Sequence, residues 1–211
     1  ELKGDESLYE QAFQKYQKAV EIKPDDYEAY YNWGLTLSYL ARLKRDVSLY
    51  EQAIQKYQKA VEIKPDYDIA YNNWGAALRQ LASLKKDESL YEQAIQKYRK
   101  ALEIKPDFHE AYYAWGLALS DLAKLKRDVS LYEQAIQKYR KALEINPKYW
   151  QAHFNMACAY ALMKRVKDAC QALDKAFLIN FEVANYANIY PDFDPIRDDS
   201  IFQQWLKDHS K

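Results

Sequence analysis

Along residues 50–63 the apolar side chains of Tyr50, Ala53, Ile54, Tyr57, Ala60, Val61 and Ile63 recur at intervals of three and four. That is the period of a helix with one buried face. Pro65 ends the stretch, and Asp66 is expected to open a second helix in which Ala70, Tyr71, Trp74, Leu78, Leu81 and Leu84 form the apolar stripe. Lys85 and Lys86 close it, as suits the negative end of a helix dipole. Ser48, with Glu51 three residues on, has the form of a capping box, and Ser7, Ser89 and Ser130 repeat it. The whole pair of elements then recurs. Tyr-Glu-Gln-Ala begins at Tyr9, Tyr50, Tyr91 and Tyr132, a constant interval of 41, which Trp33, Trp74 and Trp115 also keep, as do Pro24, Pro65, Pro106 and Pro147. Repetition at such a period predicts stacked units, each burying its apolar face on the next.

Tyr30, Trp33, Gly34 and Leu37 on one helix, followed by Ala53, Tyr57, Ala60 and Pro65 on the other, resemble the tetratricopeptide repeat family. The resemblance recurs in three units and, with changes, in a fourth. It implies an all-α fold, an α-α superhelical solenoid of antiparallel helix hairpins. A repeat of that family has about 34 residues, so each 41-residue unit carries 7 more between Leu37 and Tyr50. Placed at the hairpin tip, they lengthen each helix by about one turn without rotating any contact. First helices should therefore end near Lys44 and second helices start near Ser48, with Leu40, Leu43 and Leu49 buried in the longer tip. We expect one repeat array over residues 1–211. Its parts are a partial first repeat (1–24), three 41-residue repeats (25–147), an ordinary-length repeat (148–181) and a closing segment (182–211). In that segment Tyr190 to Asp199 resembles the piece that closes many arrays of the family. Ser200 starts a final helix with Ile201, Phe202, Trp205 and Leu206 on one side. Leu2, Lys3 and Asp5 match Leu43, Lys44 and Asp46, the tail of a first helix, so either more protein precedes Glu1 or the helix from Ser7 to Lys23 offers a face for self-association.

The 31 Lys and Arg balance 31 Asp and Glu, so no net field draws nucleic acid or an anionic membrane surface. The apolar runs fall far short of the roughly 20 residues that span a bilayer. Two Cys give no disulfide framework, which suits a reducing, cytoplasmic compartment; Cys158 and Cys170 read as small buried hydrophobes. Gly34, Gly75 and Gly116 each follow a Trp, where a small residue lets the first helix approach Ala53, Ala94 and Ala135. Only Gly4 is left, too little for a phosphate-cradling loop. His109, His153 and His209 lie far apart in sequence, without metal-ligand spacing. Asp192, Asp194, Asp198 and Asp199 read as turn and cap residues. No catalytic residues, metal or cofactor are expected, and the chain is read as non-enzymatic. Among the 20 Tyr, Tyr9, Tyr50, Tyr91 and Tyr132, with Tyr16, Tyr57, Tyr98 and Tyr139, occupy buried steps, as do Tyr30, Tyr71 and Tyr112. A base-stacking platform is the weaker account of them. Trp33, Trp74 and Trp115 are expected as core wedges.

The second helices are nearly invariant between units, and the differences gather on the first helices. Corresponding steps hold Tyr31, Asn72 and Tyr113; Asn32, Asn73 and Ala114; Leu35, Ala76 and Leu117; Ser38, Arg79 and Ser120; Tyr39, Gln80 and Asp121; and Arg42, Ser83 and Lys124. The family resemblance implies that these steps line or border a concave groove where partners bind. The candidate partner-binding residues are thus Tyr31, Asn32, Leu35, Tyr39, Asn72, Asn73, Arg79, Tyr113, Leu117, Asp121, Phe154 and Asn155. Asn side chains would hold a peptide backbone or else bond locally from helix to helix, aromatic and Leu side chains would form pockets, and Arg79 and Asp121 would set charge preference. The expected function is a protein-protein interaction scaffold that takes a protein or peptide segment. The alternative is a structural spacer that stacks end to end through its N-terminal helix.

Overall fold

The computed structural model describes residues 2–209, with side chains from Leu8 onward. The described residues are helical and contain no strand. They divide after Pro106 into two compact units. The first contains α1 (Leu2–Ile22), α2 (Tyr27–Lys44), α3 (Val47–Ile63), α4 (Asp68–Lys85) and α5 (Glu88–Ile104). Within it α2 packs on α3 and α4 on α5 as hairpins, and α3 packs on α4. The second contains α6 (His109–Lys126), α7 (Val129–Ile145), α8 (Trp150–Leu162), α9 (Val166–Phe177), α10 (Val183–Ile189), a 3₁₀ helix (Pro191–Ile196) and α11 (Ser200–His209). There the hairpins are α6 with α7 and α8 with α9.

The long hairpins owe their length to their tips. Helix α2 has 18 residues where α8 has 13, and α3 has 17 where α9 has 12, a little over one turn each. Leu40 is buried in the longer tip and Leu49 is half-buried, but Leu43 is exposed. Each long first helix ends on a residue in the left-handed region: Arg45 (φ 53°), Lys86 (φ 53°) and Arg127 (φ 56°). The cap N–H closes on the carbonyl of Ala41, Ala82 or Ala123.

Helix starts differ from the serine caps read in the sequence. Asp46, Asp87 and Asp128 are the N-caps, and each carboxylate accepts from the amide of Ser48, Ser89 or Ser130. An ionised carboxylate outcompetes a hydroxyl for those donors, and it reaches them from two residues upstream. Helix α1 runs unbroken from Leu2, so the Ser7 backbone lies within it; the Ser7 side chain is outside the described residues. Asp66 likewise precedes the cap position, which Tyr67 holds without a side-chain bond; of the four first helices described, only α2 has a carboxylate cap, Asp26, one step later in its unit, on the Ala29 amide.

The core of the first unit centres on Leu37, Ala41, Tyr50, Ala53, Tyr57, Ala77 and Leu81. Tyr50, Tyr57, Tyr91, Tyr98, Tyr132 and Tyr139 are buried as expected, whereas Tyr9, Tyr16, Tyr30, Tyr71 and Tyr112 are only half-buried. Gly34, Gly75 and Gly116 are needed chiefly for the tyrosine rings. A Cβ on Gly75 would stand 2.7 Å from Tyr98 Cε1, and one on Gly34 would stand 2.9 Å from Tyr57 Cε1 and 3.2 Å from the Ala53 carbonyl. Trp33, Trp74 and Trp115 are half-buried rather than core wedges. Lys56, Lys97 and Lys138 of the second helices place Nζ 3.7, 3.7 and 3.8 Å from the ring centroids, a cation–π cover that keeps a charged residue at this step of every long hairpin.

Candidate functional site

In the first unit, neighbouring first helices leave a cavity of about 260 Å³ between α2 and α4. Leu35, Ser38, Tyr39 and Arg42 line it from α2, Tyr50 and Tyr57 from α3, and Asn73, Ala76, Ala77 and Gln80 from α4. Its wall is mainly apolar. Leu35 and Tyr39 are 44% and 46% exposed, and Arg42 lies over the Tyr39 ring at 5.2 Å. Ser38 and Tyr57 share a hydrogen bond of 3.2 Å across the floor. Burial pushes the Tyr57 hydroxyl far above its ordinary pKa, with the Ser38 bond acting against it. Burial also raises Tyr50, which the charges of Arg42 and Arg79 partly offset. The site can hold an apolar side chain beneath hydroxyl, amide and guanidinium groups; a paired nucleophile and base is not among its lining residues.

Of the residues the sequence singles out, Leu35, Tyr39 and Asn73 line this cavity. Tyr31 stands behind it: Asn73 Nδ2 donates to Tyr31 Oη at 2.8 Å, and the Tyr31 ring meets Tyr57 and Tyr67. Tyr67 lies in the same aromatic group, its hydroxyl pushed up to about 12 by burial and nearby acidic groups. Asn32 is exposed, and its carbonyl accepts from Thr36 Oγ1 at 2.8 Å. Asn72 is half-buried, with Oδ1 buried and without a partner among the described residues. Arg79 is half-buried near Tyr50.

The second unit repeats part of this pattern. Asn155 Nδ2 donates to Tyr113 Oη at 3.0 Å and to the Gln151 carbonyl at 2.9 Å. Leu117 and Asp121 are half-buried on α6. Phe154, expected as an open pocket wall, is 6% exposed. Tyr190, Phe193 and Tyr186 cover it, with centroids at 5.6, 5.7 and 6.3 Å. The amide nitrogens of Asn73 and Asn155 therefore fasten one hairpin to the next. In each pair the tyrosine hydroxyl of the preceding hairpin lies within reach of an amide N–H.

The candidate residues omit Ser38, Arg42, Ala76 and Gln80, which stand at the same variable steps, and Tyr50, Tyr57 and Ala77, which also line the cavity. A second, longer period points to Ser38 and Arg42 among them. Tyr31 and Tyr113, Leu35 and Leu117, Ser38 and Ser120, Arg42 and Lys124, and Asn73 and Asn155 are each 82 residues apart. The hydrogen bonds obey it: Tyr31 with Asn73 and Tyr113 with Asn155, Ser38 with Tyr57 and Ser120 with Tyr139.

The closing segment packs on α8 and α9. Phe193 and Phe202 are fully buried, and Trp205 and Leu206 nearly so, whereas Ile201 is 42% exposed, against the expectation for that helix. Trp205 Nε1 donates to Asp174 at 2.6 Å. Asp192 takes two bonds from Lys124 Nζ at 2.8 and 2.9 Å. Asp194 pairs with Arg197, and Asp199 accepts from the Ile201 amide. His209 stacks on Trp205 at 4.3 Å, and Asn146 lies 3.0 Å from His109 Nε2. No group of three or more potential metal ligands occurs among the described residues. Cys158 and Cys170 are buried thiols; burial raises both above the ordinary range, Cys170 to about 11. Among the described residues no helix is long and apolar enough to cross a membrane.

The sequence matches the family described as TPR repeat over residues 7–38, 49–81, 87–122 and 131–164, well over half of the chain. The chain belongs to the tetratricopeptide repeat family. No curated protein matches it. Among solved structures, it resembles a MamA structure at 23% identity with a TM-score of 0.64, covering 87% of this chain and 95% of that one. MamA of Desulfovibrio magneticus RS-1 gives 20% identity and a TM-score of 0.63, covering 81% and 85%. PilF of Pseudomonas aeruginosa gives 20% and 0.61, covering 96% and 85%. At these identities the likeness is one of fold. Tetratricopeptide repeats of this kind support a protein-protein interaction scaffold in general terms.

Proposed function

We propose that this protein is a non-enzymatic scaffold whose first helices hold a peptide or protein segment, and that the cavity between α2 and α4 is one of its binding pockets. The observation that carries the reading is where variation falls. Leu35, Ser38, Tyr39, Asn73, Ala76 and Gln80 line the cavity at the steps where the units differ. The invariant Lys and Tyr of the second helices serve the tryptophan covers and the core. Tyr113, Leu117, Asp121 and Asn155 belong to the corresponding surface of the second unit in the same reading.

A peptide-display selection against the whole protein tests this. Selected peptides should lose binding to the Leu35→Glu, Tyr39→Ala double variant while its melting temperature stays close to that of the parent. Binders indifferent to both substitutions would refute the pocket. End-to-end stacking is a second reading, favoured by the 86% exposure of Ile22 on α1, against 39% for its counterpart Ile145 and partial burial of Ile63 and Ile104. Light scattering over a concentration series should show growth that Ile22→Glu abolishes; a constant monomer mass would dispose of it.

A further inference from the structure

The chain carries one groove twice, open in the first unit and filled by its own segment in the second. Assigning an occupant to the open copy rests on the peptide-binding function proposed for it. A shift of 82 residues carries Arg42 onto Lys124, Tyr50 onto Tyr132 and Ala76 onto Cys158. In the second unit Asp192 lies at the corresponding place. Its carboxylate bonds Lys124 Nζ at 2.8 Å, with only 16% of the Asp192 side chain exposed, and both Tyr132 and Cys158 lie within its field. Tyr190 and Phe193 flank it and meet Phe154 edge-on. The occupant of this copy is thus a carboxylate between aromatic side chains, seated on a cation at the end of the first helix.

The open copy is better suited to such a carboxylate. Asp121 stands near Lys124 and Asp192 in the second unit, but its counterpart in the first is Tyr39, and Ala161 is replaced by Arg79. One cation and one acid become two cations and a half-exposed aromatic ring, with Arg42 and Arg79 both within the field of Tyr50. Opposite charge favours docking and sets the orientation of the segment, and the guanidinium fork of Arg42 fits a carboxylate better than an ammonium does.

We propose that the cavity between α2 and α4 takes an acidic segment of another protein, with an Asp flanked by aromatic residues in the manner of Tyr190–Phe193, its carboxylate on Arg42 and one ring against Leu35 and Tyr39. The probe is a fluorescent synthetic peptide with the sequence of residues 188–196, titrated by anisotropy into the whole protein. One-to-one saturation is expected, weaker by roughly tenfold or more with Arg42→Glu or with Asp192→Asn in the peptide, and weaker in high salt. Absence of saturation up to about 1 mM, or affinity unchanged by Arg42→Glu, would overturn it. So would affinity lost with Lys124→Glu alone, since the probe would then be replacing the resident segment of the second unit. A dimer in light scattering that dissociates with Arg42→Glu would assign the cavity to a second copy of the chain and also overturn it. If display selection returns pocket binders without an acidic residue, this inference falls and the scaffold reading stands; if no peptide binds at all, both fall.

Discussion

At the scale of single residues, Gly75 shows how closely the hairpins are fitted. Replacing a glycine by alanine inside an open helix stabilises it by up to about 1 kcal/mol, but here the new Cβ would meet the Tyr98 ring at 2.7 Å. Gly75→Ala should therefore lower stability, by about 1–3 kcal/mol, as read by urea unfolding. The need for a small residue was legible in the sequence; the ring that imposes it was not, because it comes from the facing helix. Lys97 was equally illegible. Its ammonium covers Trp74, and burial lowers its pKa, yet in a sequence it reads as one more exposed charge. The tyrosines dominate the response to alkali. Burial raises Tyr57, Tyr139 and Tyr67 above the ordinary value of 10.0. Their contribution is complete below that value and is lost as pH rises through the folded pKa. Lys56 and Lys97, lowered by burial, act in the opposite sense, but their shifts are smaller than those of the buried phenols. Melting temperature should hold to about pH 10 and then fall, and a melting series from pH 8 to pH 12 checks it.

At the scale of elements, the hairpin tips combine a legible rule with an illegible exception. Period and length sufficed to place the ends of α2 near Lys44 and the start of α3 near Ser48, because amphipathic stripes and proline breaks are local. The capping residue was misread because Asp46, Asp87 and Asp128 stand two steps before the serines and take the same amides. The left-handed caps follow no sequence signal at all. Arg45, Lys86 and Arg127 occupy a conformation that glycine adopts at lower cost. Lys86→Gly should raise stability by about 0.5–1 kcal/mol, seen as a higher melting temperature with unchanged helical circular dichroism.

At the scale of the whole molecule, the closing segment is part of the second unit's core. Phe193→Ala should cost about 3–5 kcal/mol and speed amide hydrogen exchange in α8 and α11; unchanged protection there would show that the segment is not holding α8. The Lys124 and Asp192 pair adds to that hold. Burial works against the ammonium, but the bond to Asp192 and its charge outweigh it and raise the pKa above the ordinary value. Its contribution is therefore present through neutral pH and lost as pH climbs past that raised value. The sequence by itself determined the helices, their hairpin pairing, the 41-residue period and the family, because each follows from spacing along the chain and from residues that break or start a helix. It also marked the first helices as the variable surface. Only the tertiary structure decided which neighbours within the chain those residues meet. Asn73 and Asn155 are bound to tyrosines one hairpin away, and Phe154 is covered by a segment more than thirty residues further on. Hydrogen bonding and burial between distant segments depend on three-dimensional neighbours, and no local pattern encodes which neighbour arrives first.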